Sequence, residues 1–186
     1  ISTPSGLDER LPVVFEPKGL KESQRRVCMI MLIDRSAAMM GPRIAATKRA
    51  AVELVNQLKA EDLVGVLAFD TKPYIVVEVQ QAGAVGTVLV EKLVKLRSTG
   101  GTDIYPALVA AKQRLDQTDA QVKHILLLSD GNTPFRREPY HRLVEEFKYD
   151  GVSVSTIGVG AVFINTEYLT WLADSTGGTF YLLRTL

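Results

Sequence analysis

The sequence predicts an α/β fold: a doubly wound, mostly parallel six-stranded sheet in the order 3-2-1-4-5-6, with strand three antiparallel and helices on both faces. Three observations carry this. Apolar runs such as 27–33 (Val-Cys-Met-Ile-Met-Leu-Ile) have no polar alternation, so they read as strands covered on both faces. They alternate with segments of helical spacing, and right-handed crossovers then favour the doubly wound order. The one exception is the short link 70–73, Asp-Thr-Lys-Pro, which permits a hairpin and forbids a parallel crossover.

In chain order, residues 1–25 carry three prolines and two glycines and read as a lead-in, with a short edge strand at 11–15. The first central strand, 27–33, stops at Asp34. Met39-Met40-Gly41-Pro42 then opens a helix, since proline suits a first turn whose N–H has no partner. Ile44, Thr47, Ala51, Leu54, Val55 and Leu58 keep helical spacing to Lys59. Glu61-Asp62 breaks it, 63–69 is the second strand, and 74–79 is the antiparallel edge strand. Residues 87–96 are helical, with Val88, Val90, Leu93, Val94 and Leu96 apolar. The loop Ser98-Thr99-Gly100-Gly101-Thr102-Asp103 precedes a helix starting at Pro106. Strand 122–129 ends in Asp130-Gly131-Asn132, helix 139–150 ends at Gly151, strand 152–159 follows, then helix 166–175 and strand 179–183.

The 186 residues suit one domain, 26–186, behind the lead-in. Its opening at Ile1 and its end directly after an apolar segment point to a domain excised from a larger protein. A net charge of +1 gives no basis for nucleic-acid or membrane-surface binding. No stretch is long and apolar enough for a transmembrane helix, so the domain itself is not expected to be membrane-inserted. The single cysteine, Cys28, excludes an internal disulfide and a cysteine-based zinc cluster, and reads as a buried small hydrophobe.

The order 3-2-1-4-5-6 puts strands one and four side by side with connections leaving in opposite directions. The crevice between their carboxyl ends is where such sheets bind ligands. Strand one ends in Asp34 and strand four in Asp130, so two acids meet there. Adjacent carboxylates repel unless one takes a proton or a cation sits between them. With Ser36 and Thr102 they form an all-oxygen donor set of the kind Mg²⁺ or Ca²⁺ takes. Taken singly, each of these residues reads equally as a turn or helix-entry residue.

The segments 27–39 (VCMIMLIDRSAAM), 100–108 (GGTDIYPAL) and 126–131 (LLLSDG) resemble a von Willebrand factor type A domain and its metal-ion-dependent adhesion site, read as D-x-S-x-S, a threonine and an aspartate. The resemblance covers about residues 26–186 and is closest to bacterial members. It implies a metal-binding interaction module without catalysis, with Mg²⁺ (or Mn²⁺ or Ca²⁺) held by Asp34, Ser36, Thr102 and Asp130. A partner's acidic side chain, from another protein or another part of the parent chain, completes the coordination. It also implies a soluble, extracytoplasmic domain of a membrane-anchored bacterial parent. One departure stands out: the second serine falls on Ala38, which cannot ligate, so a water takes its place and binding is weakened.

The alternatives are a scaffold with a vestigial, metal-free site and a metal-dependent phosphohydrolase. The second lacks support. There is no P-loop and no Gly-x-Ser-x-Gly elbow, and Gly158-Val159-Gly160 is half a dinucleotide fingerprint, better read as a tight strand exit. Asp103 is the only spare acid nearby, and it has no evident proton partner. His124 reads as a core residue and His141 as a solvent-facing one. Around the site, Arg35, Arg43, Asp103, Phe135, Arg136 and Arg137 form an expected rim, basic and aromatic, for contact with an acidic partner.

Overall fold

The computed structural model describes residues 25–185; the edge strand expected at 11–15 lies outside the described residues. The strands are β1 (Val27–Asp34), β2 (Leu63–Phe69), β3 (Pro73–Gln81), β4 (Val122–Ser129), β5 (Val152–Val159) and β6 (Phe180–Leu183). The helices are α1 (Pro42–Asn56), α2 (Gly86–Lys95), α3 (Ile104–Asp116), α4 (Arg137–Tyr149) and α5 (Thr166–Thr176). The sheet order is β3-β2-β1-β4-β5-β6. Only β3 runs antiparallel, against β2.

Every residue of β1 is buried, because successive side chains enter two different cores. Cys28, Ile30 and Leu32 face α3, α4 and α5, where they join Leu108, Tyr140 and Leu169. Met29, Met31 and Ile33 face α1 and α2, where they join Leu54, Val55 and Leu89. Each such side chain is worth about 1.5–3 kcal/mol of burial, which is why an unbroken apolar run is needed here and an alternating one would fail. The register brings Ile33 beside Ala68 on one side and Leu128 on the other, so three strands deliver their last residues to one edge.

Several boundaries differ from the expectation, each for a local reason. Helix α3 starts at Ile104, two residues ahead of Pro106, because the Asp103 side chain accepts the Tyr105 N–H at 3.2 Å and caps it. Helix α4 starts at Arg137, which places Pro139 inside its first turn. Helix α1 ends at Asn56, and the turn after it is tied by Asp62, whose carboxylate accepts the N–H groups of Lys59 (3.0 Å) and Val27 (3.2 Å). In α2 the buried pair is Leu89 and Leu93, while Val88, Val90 and Val94 are exposed; apolar content there exceeds what the sheet can cover.

Candidate metal centre

Asp34 closes β1 fully buried. Its Oδ1 accepts the Ser36 N–H at 2.8 Å, an Asx turn that swings the chain out of the sheet. Its Oδ2 accepts the Ser129 hydroxyl at 2.6 Å, across the β1–β4 seam. Burial pushes the Asp34 carboxyl up to about 6; the hydrogen bonds from Ser129 and Ser36 pull it down, and the nearby Asp130 charge raises it further. The Ser36 hydroxyl lies close enough to favour the Asp34 charge, yet it is buried with no hydrogen bond of good geometry. A buried hydroxyl without a partner is uncommon in a folded protein, and here it lies beside the Asp34 carboxylate.

Asp130 follows directly on Ser129, so the hydroxyl that bonds Asp34 also locates the second acid. The Asp130 carboxylate is buried, with Oδ1 accepting the Asn132 N–H at 3.0 Å and Oδ2 accepting from Arg43 Nη1 at 3.2 Å. The acids expected to meet at the sheet edge are thus joined through one serine.

Thr102 lies on the third loop. That loop is docked by backbone bonds from Ala37 N–H to Gly100 O (3.0 Å), from Thr99 N–H to Arg35 O (2.8 Å) and from Asp103 N–H to Asp70 O (2.8 Å). Gly100 has φ +78, and a Cβ there would stand 3.3 Å from the Asp70 Cβ, so the close approach needs glycine. The Thr102 side chain, half-buried, makes no hydrogen bond among the described residues.

The donors fit a hard, oxygen-ligated cation: two buried carboxylates, one orphaned buried hydroxyl and one free hydroxyl at the same edge. The set is lean, since no three His, Cys, Asp or Glu side chains converge as metal ligands among the described residues. Ala38 lies in a 3-10 turn, Ala37–Met39, and brings no side-chain oxygen.

The rim is less basic than its composition implies. Arg35 turns sideways onto Asp70: its Nε and Nη2 donate to Asp70 Oδ2 at 3.0 and 2.9 Å, and its guanidinium lies 4.6 Å from the Tyr74 ring centroid. Arg43 is spent on Asp130. Asp103 caps α3 and stands 4.0 Å from Arg136, whose side chain is exposed. Arg137 is exposed at the start of α4. Phe135 stacks on Tyr140 with ring centroids 5.2 Å apart and meets Trp171 edge-on at 5.3 Å, leaving about half of it in solvent. The solvated cations are therefore Arg136 and Arg137.

Two site residues, Asp70 and Ser129, escape sequence reading, and Arg43, expected on the rim, turns inward onto Asp130. Asp70 binds Arg35 and accepts the N–H groups of Thr71 (2.6 Å) and Lys72 (3.1 Å). Burial opposes its charge, but the Arg35 hydrogen bonds and these amides outweigh burial and hold its carboxyl below the usual range. The signal was present: Asp34 ends the central strand, and Asp70 and Asp130 directly follow the two strands beside it. Elsewhere, His124 is core, with Nδ1 2.7 Å from Ser153 Oγ, and burial drives its pKa down to about 4. His141 is exposed beside Trp171. Cys28 is a buried free thiol, pushed up to about 11 by burial. No described helix is long and apolar enough to cross a membrane.

The family described as von Willebrand factor type A domain matches residues 29–132, a span that includes Asp34, Ser36, Thr102 and Asp130. An uncharacterized protein of Synechocystis is 32% identical over 156 residues, covering 81% of this chain and 36% of its own length. A von Willebrand factor type A structure from Catenulispora acidiphila superposes with a TM-score of 0.78 at 20% identity, covering 86% of this chain and 39% of that one. The PilB minor pilin from Streptococcus sanguinis superposes with a TM-score of 0.70 at 14% identity, covering 89% of this chain and 58% of that one. At such identities the likeness shows the fold alone. The chain spans about a third or less of the length of the curated relatives first matched.

Proposed function

The chain belongs to the von Willebrand factor type A domain family, and from that premise we propose that it is a non-catalytic protein-interaction module of a larger, membrane-anchored bacterial protein. A divalent cation held by Asp34, Ser36, Thr102 and Asp130, with water in place of a ligand at Ala38, joins it to an acidic side chain of its partner. The observation that carries this reading is the buried Asp34–Ser129–Asp130 arrangement with the unpartnered Ser36 hydroxyl beside it. Burying two carboxylates with one guanidinium leaves a negative excess that a cation would relieve. When bound, the cation supplies positive charge and an open position for a partner's carboxylate. The chain's own residues do the rest: Ser129 holds the two acids together, the 98–103 loop carries Thr102 over the edge, and Arg136, Arg137 and Phe135 offer a small basic and aromatic rim.

The experiment is calorimetric titration of the protein with Mg²⁺ and Mn²⁺, alongside Asp34→Ala and Asp130→Ala. One ion should bind the parent chain and neither variant. Absence of binding at millimolar metal would overturn this reading. The scaffold reading would then lead, and the Arg43–Asp130 ion pair is the specific observation in its favour.

A further inference from the structure

We infer that Arg43 is a built-in counter-cation of this site, a guanidinium that a divalent metal must outcompete for Asp130. The inference rests in part on reading the acid pair as a metal centre.

Arg43 is the second residue of α1, in the first turn of the helix. The partial positive charge of a helix N-terminus disfavours a cation there, so helix electrostatics do not account for its placement. Its contacts do. Nη1 donates to Asp130 Oδ2 at 3.2 Å and to the Ala38 carbonyl at 3.2 Å; Nη2 donates to the Val162 carbonyl at 2.7 Å. The guanidinium packs against Gly160, whose φ is +147; a Cβ at that position would stand 3.0 Å from Arg43 Nε and 3.2 Å from its Cζ. The bare backbone of the β5 exit therefore makes room for the guanidinium. The Arg43 side chain is only 17% exposed, and Asp130 1%, so the pair is poorly screened.

Two consequences follow from charge alone. Without metal, Arg43 compensates Asp130 and lets the sheet edge close over two acids. With metal, Arg43 places a like charge beside the ion and contests a carboxylate oxygen with it, so it lowers metal affinity. The same side chain ties that competition to the loop after β5. Val162 and Phe163, 58% and 84% exposed, sit there; Phe163 has φ 58, and its carbonyl accepts from the Asn132 side-chain amide at 2.7 Å.

The test compares the parent chain with Arg43→Gln and Arg43→Met. Gln removes the charge and keeps a polar amide donor; Met removes both. Mn²⁺ affinity is measured by calorimetry, and thermal unfolding is followed by circular dichroism in EDTA and in Mn²⁺. Both variants should bind Mn²⁺ more tightly, on the order of tenfold. They should melt at lower temperature than the parent in EDTA and recover in Mn²⁺. If folded Arg43→Gln binds Mn²⁺ equally or more weakly, Arg43 orients Asp130 for the metal or is irrelevant to it, and the inference falls. A parent that binds no metal while Arg43→Gln does would refute the proposed function and uphold this inference. A parent that binds, with Arg43→Gln no tighter, would do the reverse. If no form binds, both fail.

Discussion

At Asp34 the cost of the site is concentrated in one carboxyl. Its pKa of about 6 against an ordinary 3.8 means that the folded chain holds this proton more tightly than the unfolded one. Stability from this group therefore falls as pH rises from about 4 to about 6. His124 acts in the opposite sense. Its pKa of about 4 means that the unfolded chain takes the proton first, so stability falls as pH drops from about 6.5 to about 4. In the metal-free protein the two nearly offset each other across that window. Asp34→Asn removes one side of the balance while retaining an oxygen for the Ser36 N–H. At pH 7 the variant should be more stable than the parent in EDTA, on the order of 1–3 kcal/mol. It should then lose that advantage steadily as pH is lowered from about 6 to about 4, where Asp34 of the parent takes up its proton. Urea denaturation across that range measures both. An unchanged stability at pH 7 would mean that the Asp34 charge is already compensated without metal.

At the level of elements, three loops at the carboxyl edge build the candidate centre, and their legibility in sequence differs. Asp34, Ser36 and Asp130 can be read because each sits where an apolar run stops, and Thr102 because glycines precede it. Asp70 also sits where an apolar run stops, but its tie to Arg35, like those of Arg43 and Ser129, cannot be assigned that way, since the partners are 35, 87 and 95 residues distant and are set by strand register and loop docking. Composition likewise gives Arg35 and Arg43 as rim charges, because periodicity says nothing of which way a long flexible side chain turns. The loop between β1 and α1 yields a prediction of its own. Ala38 offers a carbonyl to Arg43 and no side-chain oxygen. Ala38→Ser adds a neutral ligand where a water would otherwise serve, and releasing that water is worth up to about 2 kcal/mol. Mn²⁺ binding should tighten, about tenfold for each ~1.4 kcal/mol gained, while Ala38→Val should not tighten it. No gain with serine would mean that the 3-10 turn carries position 38 away from the ion.

For the whole molecule, the sheet order is what turns two distant acids into one site. It was readable because the apolar runs, the helical spacing and the short 70–73 link all point to the same winding, and the observed order agrees strand for strand. Helix ends were less readable, since caps such as Asp103 act through side-chain geometry. We propose that the β1–β4 seam delivers Asp34 and Asp130 to a common divalent cation. The measurement that tests it most directly is anomalous diffraction from crystals grown or soaked with Mn²⁺. One anomalous peak is expected at the carboxyl edge, bounded by Asp34, Ser36, Thr102 and Asp130, with Arg43 drawn off Asp130. Crystals with no peak there at millimolar Mn²⁺, and with Arg43 still bonded to Asp130, would contradict it.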